Sequence, residues 1–111
     1  MSSVEELLRK LSVEEKISLL VGAGVSRIVP GAAGETRSIE RLGVSAIVMS
    51  DGPAGVRIHS LRIGSGNTFY ATAFPNEILL ASTWDPGVVE EVGRAIGEEA
   101  REYGIDIMLA P

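Results

Sequence analysis

The stretch from Asp85 to Ala110 constrains the fold more than any other part of the chain. Val88, Val89, Val92, Ala95, Ile96, Ala100 and Tyr103 recur at helical spacing along one face. Asp85 stands where it can cap that helix, Pro86 fits its first turn, and Gly104 stops it. An apolar run, Ile105 to Ala110, follows at once and is broken only by Asp106. Upstream, Val44 to Met49 lies between Gly43 and the Asp51-Gly52-Pro53 turn and reads as a buried strand. Ile78 to Ala81 is a third short apolar run. Strand, strand, helix, strand in that order predicts an α/β architecture with parallel pairing. Parallel neighbours need a long crossover, and a helix supplies it.

The remaining elements follow from caps and breakers. Ser3 with Glu6, and Ser12 with Glu15, are capping boxes, so two short helices open the chain. Gly22, Gly24, Pro30, Gly31 and Gly34 make the next stretch a loop, and a helical turn is expected from Ser38 to Leu42. The predicted helices run over 4–10, 13–21 and 86–103, and the predicted strands over 45–49, 78–82 and 105–109.

Composition narrows the function. The 111 residues suit one modest domain, and 45% apolar against 23% charged residues exclude disorder. The net charge is −5 and the ten basic residues are scattered, which argues against a nucleic-acid partner. There is no cysteine, and His59 is the sole histidine, so neither thiolate nor multi-histidine metal ligation can form. No metal or cofactor is expected. Acids near the N-terminus, and no apolar run of membrane length, predict a cytoplasmic chain without a membrane partner.

Val21-Gly-Ala-Gly-Val-Ser26 imitates a nucleotide-binding loop. Such a loop needs a strand before it and a helix N-terminus after it; here a helix precedes and Pro30-Gly31 follows. It reads as a turn. Ser50-Asp-Gly-Pro-Ala-Gly-Val-Arg57 is more informative. Its acid sits at the carboxyl end of a predicted strand, the end at which parallel α/β folds bind ligands. Asp51 can accept two hydroxyl hydrogen bonds, and Arg57 can reach back with planar donors. Local chemistry fits two readings equally: a site for a polyhydroxylated ligand, or an Asx-type turn closed by an ion pair. Trp84 is expected to pack in the core or against the start of the long helix. Tyr70 reads as a surface-loop aromatic, and Glu98 and Glu99 as solvated.

Several stretches together resemble glycoside hydrolase family 3, the family of β-glucosidases and their relatives. They are Leu11-Ser-Val-Glu-Glu-Lys-Ile17, Arg41-Leu-Gly-Val44, Met49-Ser-Asp-Gly-Pro-Ala-Gly-Val-Arg57, Ala71-Thr-Ala-Phe-Pro75, Ala81-Ser-Thr-Trp-Asp85, Gly97-Glu-Glu-Ala-Arg101 and Leu109-Ala-Pro111. The resemblance implies the N-terminal portion of a (β/α)₈ barrel, incomplete here at about three strands plus helices, with a second α/β sandwich domain normally following. It implies retaining hydrolysis of a β-linked glucoside or related oligosaccharide. It also implies that Asp51, Arg57 and Leu109 line the sugar site. The nucleophilic aspartate, the acid/base glutamate and a lysine-histidine pair are implied beyond Pro111, so no catalytic residue is expected in this chain, which should be inactive alone. A subunit completed by the separately encoded remainder of the enzyme, and a non-catalytic sugar-binding or structural α/β module, are the alternatives.

Overall fold

The computed structural model describes residues 3–110. Pro111, the last residue of the Leu109-Ala-Pro111 motif, lies outside them. Among the described residues there are four α-helices: α1 (Val4–Lys10), α2 (Val13–Val21), α3 (Glu77–Ala81) and α4 (Pro86–Glu102). Three strands, β1 (Gly34–Glu35), β2 (Val48–Asp51) and β3 (Ile107–Leu109), form one sheet in the order β1-β2-β3. A 3₁₀ turn covers Glu40–Leu42.

β2 and β3 pair in parallel, with Met49 opposite Ile107, Ser50 opposite Met108 and Asp51 opposite Leu109. The helical crossover expected from sequence is therefore present, with α4 as its main element. Asp106 explains its own interruption of the apolar run. Its carboxylate accepts the Val48 N–H at 2.8 Å, and its backbone N–H donates to the Val48 carbonyl at 3.0 Å. The polar residue thus ties the start of β3 to the start of β2.

One predicted strand is a helix. Residues 78–82 fall in and just after α3, because Asn76 caps the Leu79 N–H at 2.9 Å and the Ser82 and Thr83 hydroxyls donate back to the Leu79 and Leu80 carbonyls. A short apolar run has no period long enough to separate strand from helix, and here the cap decides. The third strand is instead the two-residue β1, antiparallel to β2.

α1, α2 and the 3₁₀ turn are joined by one side chain. Ser12 and Glu15 make the reciprocal capping box, and Arg41 grips the same Glu15 carboxylate through two nitrogens while donating to the Lys10 carbonyl at 2.8 Å. The motif arginine of Arg41-Leu-Gly-Val44 is therefore a clamp across the α1–α2 junction.

The core is small and lies on one face of the sheet. Val29, Ala32, Val48, Val56, Ala100 and Ile105 pack together, with Met108 and Tyr103 against them. The alternation along β2 buries Val48 and Ser50 and leaves Met49 and Asp51 half-buried on the opposite face. Ile107 and Leu109 share that opposite face, each 44% exposed. Trp84 does not pack into the core as expected: it is 92% exposed. No helix among the described residues is long and apolar enough to cross a membrane.

Candidate functional site

Asp51 ends β2 and stands beside Leu109 at the end of β3, so the parallel ladder brings two of the three expected site residues to one sheet edge. The Asp51–Gly52 peptide is cis. Beyond it the chain doubles back. Gly52 and Gly55 exchange backbone hydrogen bonds at 3.0 and 3.2 Å, and the Arg57 N–H donates to the Asp51 carbonyl at 2.7 Å. Arg57 therefore returns beside Asp51, its Nη1 3.7 Å from the Asp51 Oδ2. Their side chains stay open to solvent, at 76% for Arg57 and 47% for Asp51. An exposed pair at that separation contributes little to stability. The turn is held by its backbone, and the carboxylate keeps capacity for a ligand.

Ser50 is the hidden anchor of the turn. It is fully buried, and its hydroxyl lies 2.9 Å from both the Asp51 and Arg57 carbonyls, so its one proton holds the two ends of the loop together. Gly55 allows the next layer to close. At φ +116° a Cβ there would meet the Thr72 carbonyl oxygen at 2.3 Å. Phe74 donates its N–H to the Ala54 carbonyl at 2.9 Å across the same contact.

α4 positions that outer layer. The Glu99 carboxylate accepts the Thr72 N–H and the Thr72 hydroxyl, and the Tyr103 hydroxyl donates to the Tyr70 carbonyl. Glu99 is thus a loop clamp rather than the solvated residue expected, whereas Glu98 is exposed and pairs with Arg94. Asp51 and Arg57 form a ridge between two grooves. One, about 530 Å³, continues along Ala54, Phe69, Tyr70 and Thr72. The other, about 380 Å³, continues along Ser26, Pro30, Gly31 and His59. Among the described residues, Asp51 is the single carboxylate lining either groove.

Of the three residues expected to line a sugar site, Asp51 and Arg57 stand on the ridge and Leu109 lies next to Asp51 in the ladder. Ser50 stands beneath them as a further positioning residue, and a serine at the buried parity of a short strand is a readable signal. The structural ties of Glu99, Tyr103 and His59 go to partners far away in sequence and leave no local trace.

The fold is a mixed α/β one with a carboxylate at the end of its parallel strand pair, and comparison with known proteins defines the family. Residues 35–111 match the family described as the glycosyl hydrolase family 3 N terminal domain, and the chain belongs to that family. A β-glucosidase from Rhizobium radiobacter is 37% identical over 97% of this chain and 12% of its own length. The structure of β-glucosidase 3B from Thermotoga neapolitana in complex with α-D-glucose superposes with a TM-score of 0.93 at 52% identity, covering 99% of this chain and 16% of that one. A Kluyveromyces marxianus β-glucosidase in complex with glucose gives a TM-score of 0.76 at 35% identity, covering the whole of this chain and 12% of that one. The chain thus spans 12–16% of the length of these relatives.

Proposed function

We propose that these residues form the hydroxyl-binding wall of the sugar site of a β-glucosidase-type hydrolase. Asp51 accepts hydrogen bonds from the hydroxyls of a β-linked glucoside, Arg57 steadies the carboxylate and donates to the same sugar, and Leu109 closes the apolar side. The observation that carries this reading is the place of Asp51. It stands open at the carboxyl end of a parallel strand, on a ridge between two grooves, in a fold whose 52%-identical relative was solved with glucose bound.

Binding and hydrolysis separate here. Retaining glycoside hydrolysis needs two carboxyl groups about 5 Å apart. The grooves beside Asp51 receive one carboxylate from these residues. The 111-residue chain alone therefore holds sugar without cutting it, and the rest of a family 3 enzyme supplies the nucleophile and the acid. The test has two parts. Glucose titrated into the isotopically labelled chain should shift the amide signals of residues 51–57 saturably, and Asp51→Asn should abolish the shift. The chain alone should release no aryl alcohol from an aryl β-glucoside above background. Unchanged glucose shifts in Asp51→Asn refute the assignment, and turnover by the chain alone refutes the division of labour.

A further inference from the structure

Beyond the Asp51 ridge, the wall carrying Pro30 and His59 has a second side. There Arg27, His59 and Arg62 line a groove of about 420 Å³ to which, among the described residues, no aspartate or glutamate contributes. This chain carries 15 acidic residues against 10 basic ones, so an acid-free groove with three cation-forming side chains runs against its composition. Lys10, Arg41, Arg57 and Arg94 are in ion pairs among the described residues; Arg62 is in none, and Arg27 makes no ion pair although its charge helps to lower the Glu35 carboxyl behind it.

Both walls are built. On one side the Glu35 carboxylate accepts the Ser26 hydroxyl and the backbone N–H groups of Arg27 and Ile28, fixing the chain that carries Arg27. His59 is locked against the same segment. Its N–H donates to the Pro30 carbonyl at 2.8 Å, and its ring lies where a Cβ on Gly31 would fall. On the other side the Arg62 guanidinium carbon sits 4.1 Å from the Phe69 ring centroid and 5.8 Å from that of Tyr103. Those rings hold the planar group but offer no hydrogen-bond acceptor in its plane. Its Nε and Nη2 are buried without a partner. Buried N–H groups cost free energy until an acceptor meets them, and a carboxylate matches the two-pronged geometry of a guanidinium.

We propose that this groove is a carboxylate-binding site adjoining the sugar ridge, with Arg62 as the planar donor and Arg27 and His59 as flanking cationic or donor groups. The ligand class is an organic acid. His59 and Pro30 are shared with the groove beside Asp51, so an acid group carried on a sugar fits both.

The test uses the labelled 111-residue chain, titrated at constant ionic strength with sodium acetate, sodium glucuronate, glucose and, as control, sodium chloride. Acetate and glucuronate should shift the Arg62 Nε and His59 amide signals saturably, while chloride leaves both in place and glucose leaves the Arg62 Nε in place. Affinity should fall about tenfold in Arg62→Gln, the loss expected for one charge-assisted pair. Arg27→Gln, on an exposed side chain, should weaken binding several-fold and keeps the test decisive if Arg62→Gln unfolds. Tighter binding of glucuronate than acetate identifies a sugar-borne acid, and equal binding identifies a lone carboxylate. Asp51→Asn should leave acetate binding unchanged, so failure of the sugar assignment does not imitate failure of this one. No saturable shift, an equal shift with chloride, or full affinity in Arg27→Gln overturns the proposal.

Discussion

Asp51 and Leu109 are register partners at the carboxyl ends of two parallel strands, 58 positions apart in sequence and adjacent in the sheet. Their side chains share the sheet face opposite the small core. That relationship places an acceptor and an apolar group side by side, the combination a sugar needs for its hydroxyls and its carbon-bound hydrogens. It depends on the crossover through α4 and on the Asp106 bonds that set where β3 begins.

Removing the Asp51 carboxylate should separate binding from stability. Its ion pair with Arg57 is open to water, so Asp51→Ala should change the unfolding free energy by no more than about 1 kcal/mol. Two charge-assisted hydrogen bonds to a sugar are worth about 1.5–3 kcal/mol each, so glucose affinity should fall by about 10² or more. Calorimetric binding and a thermal melt on the same sample check both. Earlier melting with retained binding would show that Asp51 serves the turn alone.

Ser50 should differ from Asp51 in costing stability as well as binding. Ser50→Ala leaves the Asp51 and Arg57 carbonyls without their shared donor in a buried setting, at a cost of about 1–3 kcal/mol. Sugar affinity should drop as well, because Arg57 then keeps only the backbone bond to the Asp51 carbonyl and is held less firmly beside it. Asp85→Ala provides the contrast. Its carboxylate caps α4 by accepting the Gly87 and Val88 N–H groups, so its loss should cost about 1 kcal/mol and leave binding unchanged. Denaturant melts of the two variants, paired with glucose titrations, separate an anchor of the site from an anchor of a helix.

What could be read from sequence divides along a physical line. α1, α2 and α4 were legible because their caps and apolar periods are local, and the observed bounds differ from the expected ones by at most a residue. β2 and β3 were legible as apolar runs, but their limits shifted to 48–51 and 107–109, since pairing rather than composition decides where a strand starts. Residues 78–82 were misread because their period is too short to speak, and the Asn76 cap outweighed the apolar run. Trp84 was misplaced for a different reason. Packing needs a partner surface, and among the described residues Trp84 has only the shallow groove it shares with Leu80, Pro86 and Val89. Asp51 and Arg57 were visible as a motif, whereas Glu99 and Tyr103 act on residues about thirty positions away, and no pattern in the chain announces that.

Gly31 tests how tightly the second groove is built. A Cβ there would lie 2.2 Å from the His59 nitrogen, on a backbone at φ +93°. Gly31→Ala should therefore cost more than the about 1–3 kcal/mol of ordinary overpacking, because steric clash and backbone strain act together. Gly43→Ala is the matched control: it also has positive φ, but nothing lies within 4 Å of the added carbon. A larger loss at Gly31 than at Gly43, with shifted His59 signals only in the first, is the expected pattern.

The α1–α2 clamp predicts an acid-labile junction. The Arg41 guanidinium, followed by the Ser12 backbone N–H, pulls the Glu15 carboxyl from its ordinary 4.5 down to about 2. The direction of the pH effect follows from that sign. A group whose folded value lies below its unfolded value adds stability that is fully present above the unfolded value. That stability fades as pH falls through the folded one. The contribution of Glu15 should thus be constant above pH 4.5, diminish between 4.5 and about 2, and be absent below. Arg41→Gln removes the largest cause, so the Glu15 carboxyl should titrate nearer its ordinary value. Because the Arg41 end of the pair is open to solvent, added salt should weaken the effect. Carbon-detected titration of Glu15 in both proteins reads the shift directly, and melts at pH 3 and pH 6 read its consequence. The native protein should lose more stability than Arg41→Gln between those two values. An equal loss in both would mean that the clamp holds α1 against α2 through the Lys10 carbonyl bond instead of through charge.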